Sequence, residues 1–200
     1  MHPYSLDTNE RKNILLGLAI FSILFAWILN KVLVYFQINL PWYLDSPSVM
    51  GFYALLFGLF DRVCWNFKIL QKIKLIKTPN LSGVWEGNLS SSFNNYSKNI
   101  KATLKIFQTW TSIKILLFTQ DSSSYSESAS ILTNNPEGIL LTYQYINNPK
   151  VNTTNSMHIH RGTTRLLFNK TDELQGDYYS GRDRKNCGTL IFKNQNPCNQ

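Results

Sequence analysis

Two apolar stretches within the first 70 residues of this 200-residue chain limit what it can become. The first runs from Ile14 to Asn30 as ILLGLAIFSILFAWILN and continues past Lys31 as KVLVYF. A bilayer core needs about 20 apolar residues in helical form. Ile14–Phe36 meets that length if Lys31 extends its charge toward the head groups. Trp27, Tyr35, Trp42 and Tyr43 are the interfacial aromatics expected at such an end. A cleavable signal peptide would have a shorter apolar region and a small-residue cleavage site, and neither is present. The second stretch, Val49–Phe60, is too short to span alone, but Ser46–Phe67 suffices as one helix, with Asp61 and Arg62 near one end, favoured at the interface over a paired position inside a helix bundle between subunits. A short connector containing Pro41 and Pro47 joins the two, so they form an antiparallel hairpin. Arg11 and Lys12 precede the first helix, and Lys68, Lys72, Lys74 and Lys77 follow the second, while the connector carries only Asp45. The positive-inside rule then puts both termini in the cytoplasm, giving a multi-pass membrane protein.

The pattern changes period after Thr78-Pro79-Asn80, so we divide the chain into a helical hairpin, residues 1–77, and a β domain, residues 78–200. Eight runs of alternating or β-branched and aromatic character follow. They are Gly83–Ser90, Asn99–Thr109, Ser112–Thr119, Tyr125–Leu132, Gly138–Ile146, His158–Phe168, Leu174–Tyr179 and Thr189–Lys193. Even spacing and short turns predict an all-β, eight-stranded antiparallel barrel of lipocalin-like form, with a sandwich as the alternative. Ile100, Ala102, Leu104 and Ile106 share one face of their run. Leu141, Tyr143 and Tyr145 oppose Leu140, Thr142 and Gln144, and alternation does not say which set faces inward.

Composition excludes several functions. The formal charge of +8 divides evenly, +4 for residues 1–80 and +4 for residues 81–200, with no long single-sign run in the second part. No DNA- or RNA-coating surface is indicated, but a small anionic ligand or an anionic leaflet is suited. Cys64, Cys187 and Cys198 form no disulfide framework. There is no nucleophile-elbow motif and no glycine-rich phosphate loop, so no catalytic residues are assigned. His158 and His160 share a strand face, but no third ligand accompanies them and no metal is expected. A basic and aromatic group is more informative. His160, Arg161, Arg165, Tyr178, Arg182 and Arg184 gather near the last three strands, and Trp85, Tyr143 and Tyr145 join them across a barrel. Aromatic faces stack bases, and arginine forks bind phosphates. We take Trp85, Tyr143, Tyr145, His160, Arg161, Arg165, Tyr178 and Arg182 as the candidate ligand site.

A two-helix hairpin followed by a barrel opening on Leu81-Ser82-Gly83-Val84-Trp85-Glu86-Gly87 resembles the two-transmembrane β-barrel effectors of bacterial CBASS antiphage immunity. His160-Arg161-Gly162, Leu174-Gln175-Gly176-Asp177-Tyr178 and Gly188-Thr189-Leu190 belong to the same resemblance. It implies a receptor and not an enzyme, with no cofactor. Its ligand would be a cyclic dinucleotide made by a CD-NTase nucleotidyltransferase. Binding would drive homo-oligomerisation, and the hairpins would act on membrane lipid to disrupt the bacterial inner membrane and kill the infected cell. A membrane-anchored carrier of lipid or another hydrophobic ligand is the alternative.

Overall fold

The computed structural model describes residues 1–38, 45–153, 157–169, 172–181 and 184–195. Arg182, Trp42, Tyr43 and Cys198, named above, lie outside the described residues. The chain divides into two compact units, Met1–Asp7 with Thr78–Gln200, and Thr8–Lys77.

The first unit is a closed barrel. Its strands are β1 (His2–Leu6), β2 (Gly83–Ser91), β3 (Asn99–Gln108), β4 (Ser112–Thr119), β5 (Ser122–Leu132), β6 (Ile139–Pro149), β7 (His160–Asn169), β8 (Glu173–Ser180) and β9 (Cys187–Asn194). The order around the ring is β1-β4-β3-β2-β9-β8-β7-β6-β5, with β4 and β5 also paired directly. Eight of these strands match the sequence reading closely; β1 is additional. Nine strands cannot alternate in direction around a closed ring, so one neighbouring pair must be parallel. That pair is β1 with β5.

The local cause is a fork between β4 and β5. The two pair only from Leu116↔Tyr125 to Phe118↔Ser123. A bulge at Ser126–Ser128 then bends β5 away. β1 fills the gap, with His2 and Pro3 against β4 and Tyr4, Ser5 and Leu6 against β5. At the fork, Ser126 Oγ accepts from Ile115 N at 3.0 Å and shares a 2.7 Å hydrogen bond with His2 Nε2. Tyr4 is buried, and its hydroxyl donates to the Trp110 carbonyl at 2.9 Å. Asp7 closes the strand by accepting from Thr133 N at 2.9 Å and Asn134 N at 2.8 Å. Burial alone would raise the Asp7 carboxyl, but the hydrogen bonds from Thr133 and Asn134 together outweigh it and hold the group below its usual value.

Inward residues sort by depth. At the end where β2 begins and β8 starts, Trp85, Leu104, Ile106, Ile113, Ile115, Ile131, Leu141, Leu166, Leu174 and Phe192 fill the lumen. Trp85 Nε1 donates to the Leu81 carbonyl at 3.1 Å, and its ring meets Phe168 edge-on. Gln108 ties this end together, accepting from Leu81 N at 2.8 Å and donating to the Pro79 carbonyl at 3.0 Å. This closed end is a packed core.

The second unit contains α1 (Glu10–Tyr35), α2 (Asp45–Arg62), a 3-10 turn (Cys64–Asn66) and α3 (Lys68–Lys72). α1 is long and apolar enough to cross a membrane. Its length is about 39 Å at the helical rise, and most of its large apolar side chains are exposed. Phe25 of α1 and Phe52 of α2 lie 6.0 Å apart by ring centroid. Lys31 sits over the Trp27 ring at 5.9 Å. α2 stops at Arg62, five residues short of the expected Phe67. The chain turns there, and the 3-10 turn carries Trp65 to 2% exposure. Lys77 N donates to Glu10 Oε2 at 2.6 Å and so links the two ends of this unit.

Candidate functional site

The other half of the lumen is open, and its lining mixes polar side chains with Leu89, Ile100, Leu117, Met157 and Leu190. The serine-rich start of β5 points Ser122, Ser124 and Ser126 inward, all buried. β6 adds Tyr145 and Asn147, β7 His160 and Thr164, and β8 Tyr178 and Ser180. Alternation along β6 is thereby resolved: Leu141, Tyr143, Tyr145 and Asn147 form the interior set. Arg184 and Asn186 of the β8–β9 connection, with Phe93 and Asp121, complete the rim. The empty space measures about 750 Å³, solvent at the mouth included.

Tyr145 and His160 meet edge-to-face at 6.5 Å. His160 Nδ1–H donates to the His158 carbonyl at 2.9 Å, which leaves Nε2 as the ring's other polar atom. Burial pushes the His160 imidazole below its ordinary value, and the Arg184 guanidinium adds to this. Tyr178 Oη donates to Ser91 Oγ at 2.7 Å. Burial raises the phenols of Tyr145 and Tyr178, so both remain neutral hydrogen-bonding groups. Arg184 holds its guanidinium 4.9 Å from the Phe93 ring centre. Asn186, oriented with Oδ1 toward Arg184 Nε at 3.3 Å and Nδ2 toward the Arg184 carbonyl at 3.1 Å, braces it. Among the described residues, Arg184 is the permanent cation lining the cavity and Asp121 the carboxylate.

The eight sequence candidates therefore separate. Tyr145, His160 and Tyr178 line the cavity together. Trp85 does not: it is the plug of the closed end. Tyr143 lies beneath the cavity floor, 2% exposed, with its phenol pushed up to about 12 by burial. Its hydroxyl lies beside Thr164 without a hydrogen bond of good geometry. Arg161 and Arg165 project from the outer wall, because their strand alternates and Gly162, Thr164 and Leu166 take the inward positions. Arg161 pairs there with Glu127 at 3.4 Å. Arg182 lies outside the described residues. The candidate list omitted Arg184, although it stood in the basic run, and the inward serines. The spacing of Ser122, Ser124 and Ser126 by twos was the signal for the serines. No group of three His, Cys, Asp or Glu side chains placed to hold a metal occurs among the described residues.

Residues 76–194, more than half the chain, match the family model described as Cap15, cyclic dinucleotide receptor domain. The chain belongs to the Cap15 family. It is 34% identical over 150 residues to a CD-NTase-associated protein 15 from Yersinia aleksiciae, covering 72% of this chain and 68% of that protein. A CD-NTase-associated protein 15 from Staphylococcus schleiferi is 32% identical over 124 residues, 62% of this chain and 65% of that one. The family match takes in β2 through β9 and every cavity residue named above.

Proposed function

We propose that this chain is a sensor of CBASS antiphage defence whose open lumen binds a cyclic dinucleotide. The observation that carries the reading is an open cavity, lined by aromatic, basic and hydroxyl side chains among apolar ones, at one end of a barrel of the Cap15 receptor family. The chemistry of the cavity matches such a ligand. Tyr145 and Tyr178 offer faces on which bases stack. Arg184 supplies donors to an anionic phosphate, and His160 Nε2 adds one when the ring is protonated. Ser122, Ser124 and Asn147 provide hydrogen bonds to base edges and sugar hydroxyls. These roles are those of a receptor, not a catalyst. A carrier of hydrophobic ligands fits less well, because Arg184, Asp121, His160 and Asn147 line the open half.

The output we propose is mechanical. α1, paired with α2, sits in the bacterial inner membrane with the barrel in the cytoplasm. Ligand occupancy favours association of barrels, which gathers the helices of several copies and breaches the bilayer. The full-length chain in detergent, titrated calorimetrically with a panel of cyclic dinucleotides, should bind at least one member saturably. The same nucleotide should release dye from vesicles holding the chain. No binding to any member would reject the sensing role; binding without release would reject the output alone.

A further inference from the structure

The stretch that follows α2 has a surface that nucleotide sensing does not use. Beyond the buried Trp65 the backbone extends at Phe67, turns once as α3, and ends in a paired cap. In that cap Leu75 N donates to the Leu70 carbonyl and Lys74 N to the Gln71 carbonyl, both at 3.0 Å. Lys74 occupies the left-handed position, φ 59°, where glycine is the usual residue. Phe67, Ile69, Ile73 and Leu75 stand 51, 73, 64 and 45% exposed. Lys68, Lys72, Lys74 and Lys77 are exposed among them, and the sequence holds no acidic residue between Asp61 and Glu86.

An exposed apolar group of this kind marks an interaction site, and here its cations are interspersed. A five-residue helix is too short to lay an apolar face into a protein groove. A lipid interface satisfies both classes of side chain at once. Phe67, Ile69 and Ile73 enter the acyl boundary, while lysine stems extend to the phosphates. We propose that residues 67–77 form an interfacial anchor that binds anionic lipid head groups, separate from the lumen site. The inference rests on the membrane reading of α1.

The test is hydrogen exchange on the full-length chain in nanodiscs of phosphatidylcholine alone and of phosphatidylcholine mixed with phosphatidylglycerol. The amides of residues 68–75 should exchange more slowly in the anionic discs, by about fivefold for each lysine engaged. Lys72→Gln with Lys74→Gln, or high salt, should abolish the difference. Ile69→Asn with Ile73→Asn should abolish it as well. Equal exchange in the two lipids, with α1 protected in both, would overturn the anchor and leave the membrane reading intact. So would protection that appears in neutral discs only when nucleotide is added, which would mark a contact between protein copies. Rapid exchange through α1 in both discs would overturn the membrane reading and the anchor together.

Discussion

Tyr145 and Tyr178 keep their places because glycines face them across the sheet. Tyr145 pairs with Gly162, and Tyr178 pairs with Gly188. A Cβ at Gly188 would stand 3.0 Å from Tyr178 Cζ and closer still to the Ser90 carbonyl. The missing side chains let each ring lie across the neighbouring strand. If the rings and Arg184 hold the ligand, Tyr178→Ala should weaken binding by about 1–3 kcal/mol. Arg184→Ala should weaken it by about 1.5–3 kcal/mol, or about ten- to a hundredfold in Kd. Arg161→Ala and Arg165→Ala on the outer wall should leave Kd unchanged; calorimetry on each variant checks this. His160 adds a pH dependence. Its folded value lies below the ordinary 6.5, so the unfolded state takes up the proton first. The empty barrel should lose stability as pH falls through about 6.5, and His160→Gln should flatten that slope. A bound phosphate favours the imidazolium and reverses the sign, so affinity should rise over the same fall in pH. Denaturation and titration at stepped pH read the two effects. Residue types pointed to this chemistry before any fold was known. Which arginines face inward was not legible, because a shift of one residue exchanges the faces of a strand. Arg161 and Arg165 fall on the wrong parity for the lumen.

At the level of elements, the first strand most changes the account. His2–Leu6 is five residues with a proline, too short and too broken to stand out as a strand. Its position is set by tertiary structure, since it occupies the fork that the β5 bulge opens. The start of β5 was hidden for a different reason. Ser122–Ser124 has the composition of a loop, yet a polar lumen requires small polar side chains on a strand there. Eight of the nine strands were legible from alternation and turn residues, because one face of each is buried. A fragment beginning at Thr78 keeps those eight and loses β1. Such a fragment should be markedly less stable than the same fragment with residues 1–7 joined to it by a flexible linker. In the full chain, Tyr4→Ala should cost about 3 kcal/mol of barrel stability. Denaturant melts measure both, and equal stability of the two fragments would show that β1 is dispensable.

For the whole molecule, the sequence predicts a helical part, residues 1–77, and a β part, residues 78–200, whereas the compact units are Thr8–Lys77 and Met1–Asp7 with Thr78–Gln200. The division is not a single cut, because Met1–Asp7 belongs with the barrel. The helical unit is therefore an insertion between β1 and β2, joined to the barrel by short segments at both ends. Nothing local in the sequence could show this, since it depends on how β1 pairs with strands more than a hundred residues away. The central claim is that the open half of the lumen holds the nucleotide. A structure of the full-length chain with a bound cyclic dinucleotide tests it most directly. The ligand is expected inside the barrel, with bases against Tyr145 and Tyr178 and a phosphate at Arg184. Ligand on the outer wall beside Arg161 and Arg165, with the lumen empty, would contradict it.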